Sequence, residues 1–156
     1  MIFLQRYFRD TSLDLFELSN DDSYHITKVM RNKIGDNVEV VIDKKLYICE
    51  IVKIDDLVSV KRIEELECDS EFPFYVTIAQ SLVKEQKMDF ILQKSCELGV
   101  SEIIPLCAAR SIVKLDKKED KKLIRWNKIL KEASEQSKRI VIPKVNEIMS
   151  IKELAK

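Results

Sequence analysis

The chain has 156 residues with 27 lysines and arginines against 27 aspartates and glutamates, so its formal charge is zero. A neutral chain is not the uniformly basic body of an electrostatically driven nucleic-acid binder, and any such contact has to come from local patches. Its length suits one ordinary domain or two small ones, and two glycines exclude a glycine-rich phosphate cradle within these residues.

The opening run MIFLQRYF is too short and too late in its charges for a signal peptide, and no later run approaches a membrane span. The expected location is the cytosol, without a membrane partner. Up to about residue 66 the grammar is that of strands: FLQRYF alternates, NVEVVI and LYICEIVKI are rich in β-branched residues, and LVSVKRI alternates again. A small, closed or half-closed β-barrel is predicted. One helix interrupts it, where SNDDSYHITKVMRNKIGD offers Asn20 or Asp21 as N-cap, Tyr24, Ile26, Val29 and Met30 as apolar residues, and Gly35 beyond the end. On this helix His25, Lys28 and Arg31 recur at spacings of three, a small basic edge with one titratable ring. For His25 alone, a hydrogen-bonded structural role is the plainer reading.

The acidic stretch EELECDSEFPF lacks apolar periodicity and ends near Pro73, which places a domain junction between about 66 and 74 and divides the chain into 1–70 and 71–156. Beyond it strands and helices alternate. YVTIAQ reads as a strand, QKMDFILQKSCELG as a helix closed by Gly99, SEIIPL and RSIVKL as strands, KKLIRWNKILKEASEQSK as a long helix, and RIVIP as a fourth strand. Alternation of this kind implies crossovers and a largely parallel sheet. In the first of these helices Met88, Ile91, Leu92, Ser95 and Leu98 share one side. At the end, SIKE is a capping box that should open another helix. The four cysteines, Cys49, Cys68, Cys96 and Cys107, include no C-x-x-C pair and the chain has one histidine, so neither a metal site nor a disulfide framework is expected.

Two further stretches bear on chemistry. On a helical wheel Leu123, Trp126, Leu130, Ala133 and Ser137 fall on one side of the long helix, and Arg125, Lys128, Glu132, Glu135 and Arg139 on the other, with Gln136 at the border. By spacing alone this is a solvated face with ordinary i,i+4 pairs. Arg110 and Ser111 lie where one strand ends and the next begins, the loop position at which open α/β sheets build sites.

Taken in order, RYF, HITKVMRNKIGD, AQSLVKEQKMDFILQKSCELGVSEIIPLCAARSIVK and RWNKILKEASEQSKR resemble the RsmE family of methyltransferases over nearly the whole chain. That resemblance implies an α+β two-domain protein: a PUA-like RNA-binding β-barrel, then an α/β domain of the SPOUT type, Rossmann-like and knotted when complete. It implies S-adenosylmethionine-dependent methylation of N3 of a uridine in 16S ribosomal RNA, no metal, the small ribosomal subunit or its RNA as partner, and a homodimer for the complete enzyme. By the same resemblance Arg110 and Arg139 would stabilise charge developing on the uracil or grip phosphate. Glu132 or Glu135 would orient the base or accept its proton, and Gln136 would bond the uracil edge. Arg6, His25, Lys28 and Arg31 would meet RNA phosphates. The sequence departs from the family at Ala109, where a glutamate is common, and the glycine-rich stretch that builds the knot and donor pocket is not among these residues. The second domain is therefore expected to be incomplete, with most of the donor site outside the chain and activity of the chain itself doubtful. The competing reading is a non-catalytic RNA-binding module.

Overall fold

The computed structural model describes residues 4–108 and 119–155. It divides into two compact units, Met1–Asp69 and Ser70–Lys156.

The first unit holds strands β1 (Arg6–Phe8), β2 (Leu15–Glu17), β3 (Asn37–Ile42), β4 (Lys45–Ile54) and β5 (Val58–Leu66) in one sheet of order β1-β3-β4-β5-β2. β1 runs parallel to β3, and the other pairings are antiparallel. Period-two alternation sends Val38, Val40 and Ile42 inward, to meet Tyr47, Cys49 and Ile51 from β4 and Val58 and Val60 from β5. Tyr7 from one edge strand and Phe16 from the other join the same core, so the sheet is curled until its two edges share an interior. Register shifts in β4 between Ile48 and Cys49 and between Ile51 and Lys53 supply local bends. Asp43 and Lys44, at φ 47° and 60°, form the two-residue turn between β3 and β4, whose hand suits the strand twist. Strand β2 is not predicted from the sequence, because only Phe16 of its three residues is buried and no alternation is visible over so short a run.

The interrupting helix, α1 (Asn20–Tyr24), is capped by Ser19 and not by Asn20 or Asp21: Ser19 Oγ accepts the Asp22 N–H at 3.1 Å. It continues as a π-helical turn, His25–Val29, in which Met30 N–H donates to His25 O at 2.9 Å. Of the four apolar residues read in this helix, only Ile26 is buried, while Tyr24, Val29 and Met30 are exposed. The inner face is partly polar instead. Ser23 Oγ accepts the Val58 N–H at 2.9 Å, so one serine and one isoleucine dock the helix in place of a full apolar stripe.

The second unit holds β6 (Thr77–Ser81), α2 (Glu85–Glu97), β7 (Glu102–Cys107), α3 (Glu119–Gln136), β8 (Lys144–Val145), β9 (Met149–Ser150) and α4 (Ile151–Leu154). β7 is central and every pairing is parallel: β6 lies on one side, while β8 and then β9 follow one another along the other. The strand expected in RIVIP is absent from this sheet, and pairing starts only at Lys144. The cause is Glu71, whose Oε1 accepts the N–H groups of Ile140 at 3.0 Å and Val141 at 3.2 Å and so diverts the amides that a ladder would need. The strand expected in RSIVKL lies outside the described residues.

Met88, Leu92 and Cys96 of α2 share one core with Trp126, Leu130 and Ala133 of α3 and Ile103 of β7. Leu98, expected on that side, is exposed because α2 stops at Glu97 and Gly99 turns the chain at φ 91°. Gly99 N–H bonds Cys96 O and Val100 N–H bonds Ser95 O, a Schellman ending. Helix α3 ends the same way without glycine. Lys138 stands at φ 60°, its N–H reaching Glu135 O at 3.4 Å, and Arg139 N–H bonds Ser134 O at 3.0 Å. The capping box read in SIKE is present, with Ser150 as N-cap of α4 and Glu153 returning the bond.

Candidate functional site

Because α3 has already turned at Lys138, Arg139 is not part of the helix face on which the wheel places it. The reversal carries its side chain inward, where it is only 3% exposed. Arg139 Nε and Nη2 donate to the Glu71 carboxylate, Nη2 at 2.6 Å, and Nη1 donates to Cys96 O at 3.1 Å and Val100 O at 2.7 Å. Those carbonyls belong to the end of α2, so one guanidinium joins the ends of both helices to the start of the unit. Burial works against its charge, but the Glu71 carboxylate outweighs that and holds the Arg139 guanidinium above its usual pKa. Nearby, Cys96 Sγ and Ser134 Oγ meet at 3.2 Å and Ser134 Oγ donates to Leu130 O at 2.7 Å, a small polar link between α2 and α3. Burial pushes the Cys96 thiol up from its ordinary pKa, and that of Cys49 in the barrel up to about 11, so both act as packing groups.

The other candidates on α3 divide by exposure. Glu132 and Gln136 are exposed, whereas Glu135 is 8% exposed and pairs with Lys131 at 3.3 Å. Arg110, with Ala109 and Ser111, lies outside the described residues. A cavity of about 380 Å³ opens where β6 ends and α2 begins, lined by Leu82, Val83, Met88 and Trp126 together with Glu85, Lys121, Lys122 and Arg125. The carboxyl ends of parallel strands are where open α/β sheets receive ligands. Arg125, read as part of the solvated face, joins α3 to α2 through Glu85 and Asp89.

In the barrel the four predicted phosphate-binding residues do not form one surface. Arg6 is 4% exposed and its Nε is held at 2.8 Å by Oε2 of Glu39, its cross-strand neighbour on β3, because a cation taken out of water needs a carboxylate to carry its charge. It is a structural residue, not a surface cation. His25 is half-buried with Nδ1 2.9 Å from Tyr7 Oη, which fixes its ring. Lys28 and Arg31 are exposed, Arg31 at φ 58°, and Lys33 beside them is exposed as well.

Among the described residues no cluster of histidine, cysteine or acidic side chains could hold a metal ion, and no helix is long and apolar enough to cross a membrane. Sequence reasoning misses two residues of consequence. Glu71 sits in an acidic stretch that carries no pattern, and Tyr24 is read only as one of the apolar residues of the short helix, with nothing in its spacing to mark it as exposed.

An RNA methyltransferase domain matches residues 70–156, and an RNA methyltransferase PUA domain matches residues 18–63. The chain belongs to the RsmE family. It is 39% identical to ribosomal RNA small subunit methyltransferase E of Bacillus subtilis over 97% of the chain and 62% of the relative. To the protein of the same name from Buchnera aphidicola it is 30% identical over 95% of the chain and 61% of the relative. The crystal structure of the Neisseria gonorrhoeae ribosomal RNA small subunit methyltransferase E bound to S-adenosylmethionine superposes with a TM-score of 0.90 at 30% identity, covering 97% of this chain and 65% of that one. The fold is therefore that of the RsmE family, a PUA-like barrel followed by part of a SPOUT-type α/β domain. The chain spans somewhat less than two thirds of the length of these relatives.

Proposed function

We propose that the chain serves S-adenosylmethionine-dependent methylation of N3 of a uridine in 16S ribosomal RNA, in the cytosol. The observation that supports this reading is the order of the two modules on one chain, PUA domain before methyltransferase domain, together with 39% identity to a relative named ribosomal RNA small subunit methyltransferase E. The complete enzyme is proposed to work as a homodimer.

Among the described residues, no glycine lines a cavity in which a donor could lie against the backbone. Gly35 and Gly99, at φ 92° and 91°, stand at a turn and a helix end, and neither lines the cavity at the end of β6. What these side chains supply lies on the RNA side. N3 of uridine must lose its proton before it can act as a nucleophile, and charge then spreads over the two flanking carbonyl oxygens, where positioned donors help most. Glu132 and Gln136, exposed on α3, are suited to the proton and to the uracil edge. Arg139 serves by holding the ends of α2 and α3 in place, since its donors already have partners within the unit. Arg110 keeps the role of charge stabiliser or phosphate grip that the family resemblance gives it.

Lys28 and Arg31 are the residues of the barrel proposed to meet phosphate. RNA affinity measured over a series of salt concentrations should fall less steeply for the Lys28→Ala, Arg31→Ala double variant, the logarithmic slope dropping by about 0.7 for each single-strand phosphate that is no longer neutralised. An unchanged slope would remove the barrel as the RNA grip. A non-catalytic RNA-binding role would prevail if the chain bound small-subunit RNA with this salt dependence yet showed no methyl transfer from S-adenosylmethionine.

A further inference from the structure

We propose that Tyr24 is a stacking platform for an unpaired base, so that the barrel grips single-stranded RNA in preference to duplex; this rests on the reading of Lys28 and Arg31 as phosphate-binding residues. Tyr24 is 64% exposed, an unusual position for a tyrosine that ends a helix docked on a core. Lys28 follows one helical turn later, near Tyr24 on the helix surface, and Arg31, exposed at φ 58° just past the helix end, adds a second cation to the same short stretch. An unpaired nucleotide offers the matching pair of features, a bare aromatic face and an adjacent phosphate. A duplex offers the phosphates alone, because its bases are already stacked.

The platform is rigid, which keeps the ordering cost of binding low. Ser19 caps the helix, Ser23 ties it to Val58, Ile26 is fully buried, and the neighbouring His25 ring is bonded to Tyr7. The nearby acids are Asp21 and Asp22 in the first turn of the helix, and Asp36, whose carboxylate accepts the Lys33 N–H at 2.7 Å and Asn32 Nδ2 at 3.3 Å.

The test compares a short labelled single-stranded RNA with a hairpin duplex of similar composition, titrated by fluorescence anisotropy at fixed salt against the full chain and its Tyr24→Leu and Tyr24→Phe variants. Tyr24→Leu should weaken single-strand binding by about tenfold, within the range of one base–aromatic stack, while Tyr24→Phe stays within about twofold and duplex binding is unchanged. Unchanged single-strand binding by Tyr24→Leu, or an equal loss on duplex, overturns the proposal. If the Lys28→Ala, Arg31→Ala variant still weakens both RNAs in that case, the phosphate grip stands and only the stacking role falls; if it weakens neither, the grip falls as well. Loss of retention on intact small subunits with free-RNA binding preserved would assign the patch to a protein partner and also defeats the stacking role.

Discussion

Arg139 and Glu71 show how a residue that looks like chemistry can instead be architecture. The carboxylate of Glu71 answers the guanidinium and the amides of Ile140 and Val141 together, and the guanidinium answers the carbonyls at the end of α2. Removing one partner of such a buried pair leaves the other charge without compensation, which costs far more than loss of a surface pair. Glu71→Ala should therefore lower the unfolding free energy by about 3–5 kcal/mol in a urea melt of the second unit's tryptophan signal. A loss under about 1 kcal/mol, the level of an exposed pair, would show that the pair is not a structural staple. None of this is legible in the sequence. Glu71 sits in an acidic run without periodicity, and its partner lies 68 residues away. The wheel places Arg139 on an outward face only because it assumes a helix that has not yet ended.

The two helix endings make a natural pair for comparison at the scale of elements. Both α2 and α3 close with a Schellman turn, one on Gly99 and the other on Lys138, and a side chain at positive φ costs on the order of 1 kcal/mol relative to glycine. Lys138→Gly should accordingly raise stability by up to about 1 kcal/mol. Gly99→Ala should lower it by more than that, since the added Cβ would also run into the Phe72 ring. Thermal melts of the two variants should move in opposite directions, and a shift of the same sign in both would refute the account. Elements with long periodic patterns are readable from residue types: β3, β4, β5, α2, most of α3 and the SIKE capping box. Strands β2, β8 and β9 are not. Each has two or three residues and pairs with a strand distant in sequence, β2 with β5 and β8 and β9 with β7, leaving no local signal.

On the scale of the whole molecule, a formal charge of zero conceals an uneven distribution, because Lys28, Arg31 and Lys33 are exposed within one short stretch of the first unit, while Arg6 and Arg139 are buried against Glu39 and Glu71 and Arg125, itself exposed, pairs with Glu85 and Asp89. Overall balance says little about RNA affinity when the cations divide in this way between exposed and paired. The same unevenness applies to the two functions of the family. The features suited to holding RNA are present in the first unit, whereas the glycines that let a backbone approach a bound cofactor closely are few and placed elsewhere. RNA binding and donor binding should therefore separate in this chain. Titration calorimetry with S-adenosylmethionine should give no saturable heat at donor concentrations up to about 1 mM, the weak end of measurable small-ligand affinity. The same preparation should bind single-stranded RNA with a salt dependence set by Lys28 and Arg31. Tight donor binding by these 156 residues would point to the cavity bounded by Leu82, Met88 and Trp126 as the place where the methyl group is presented.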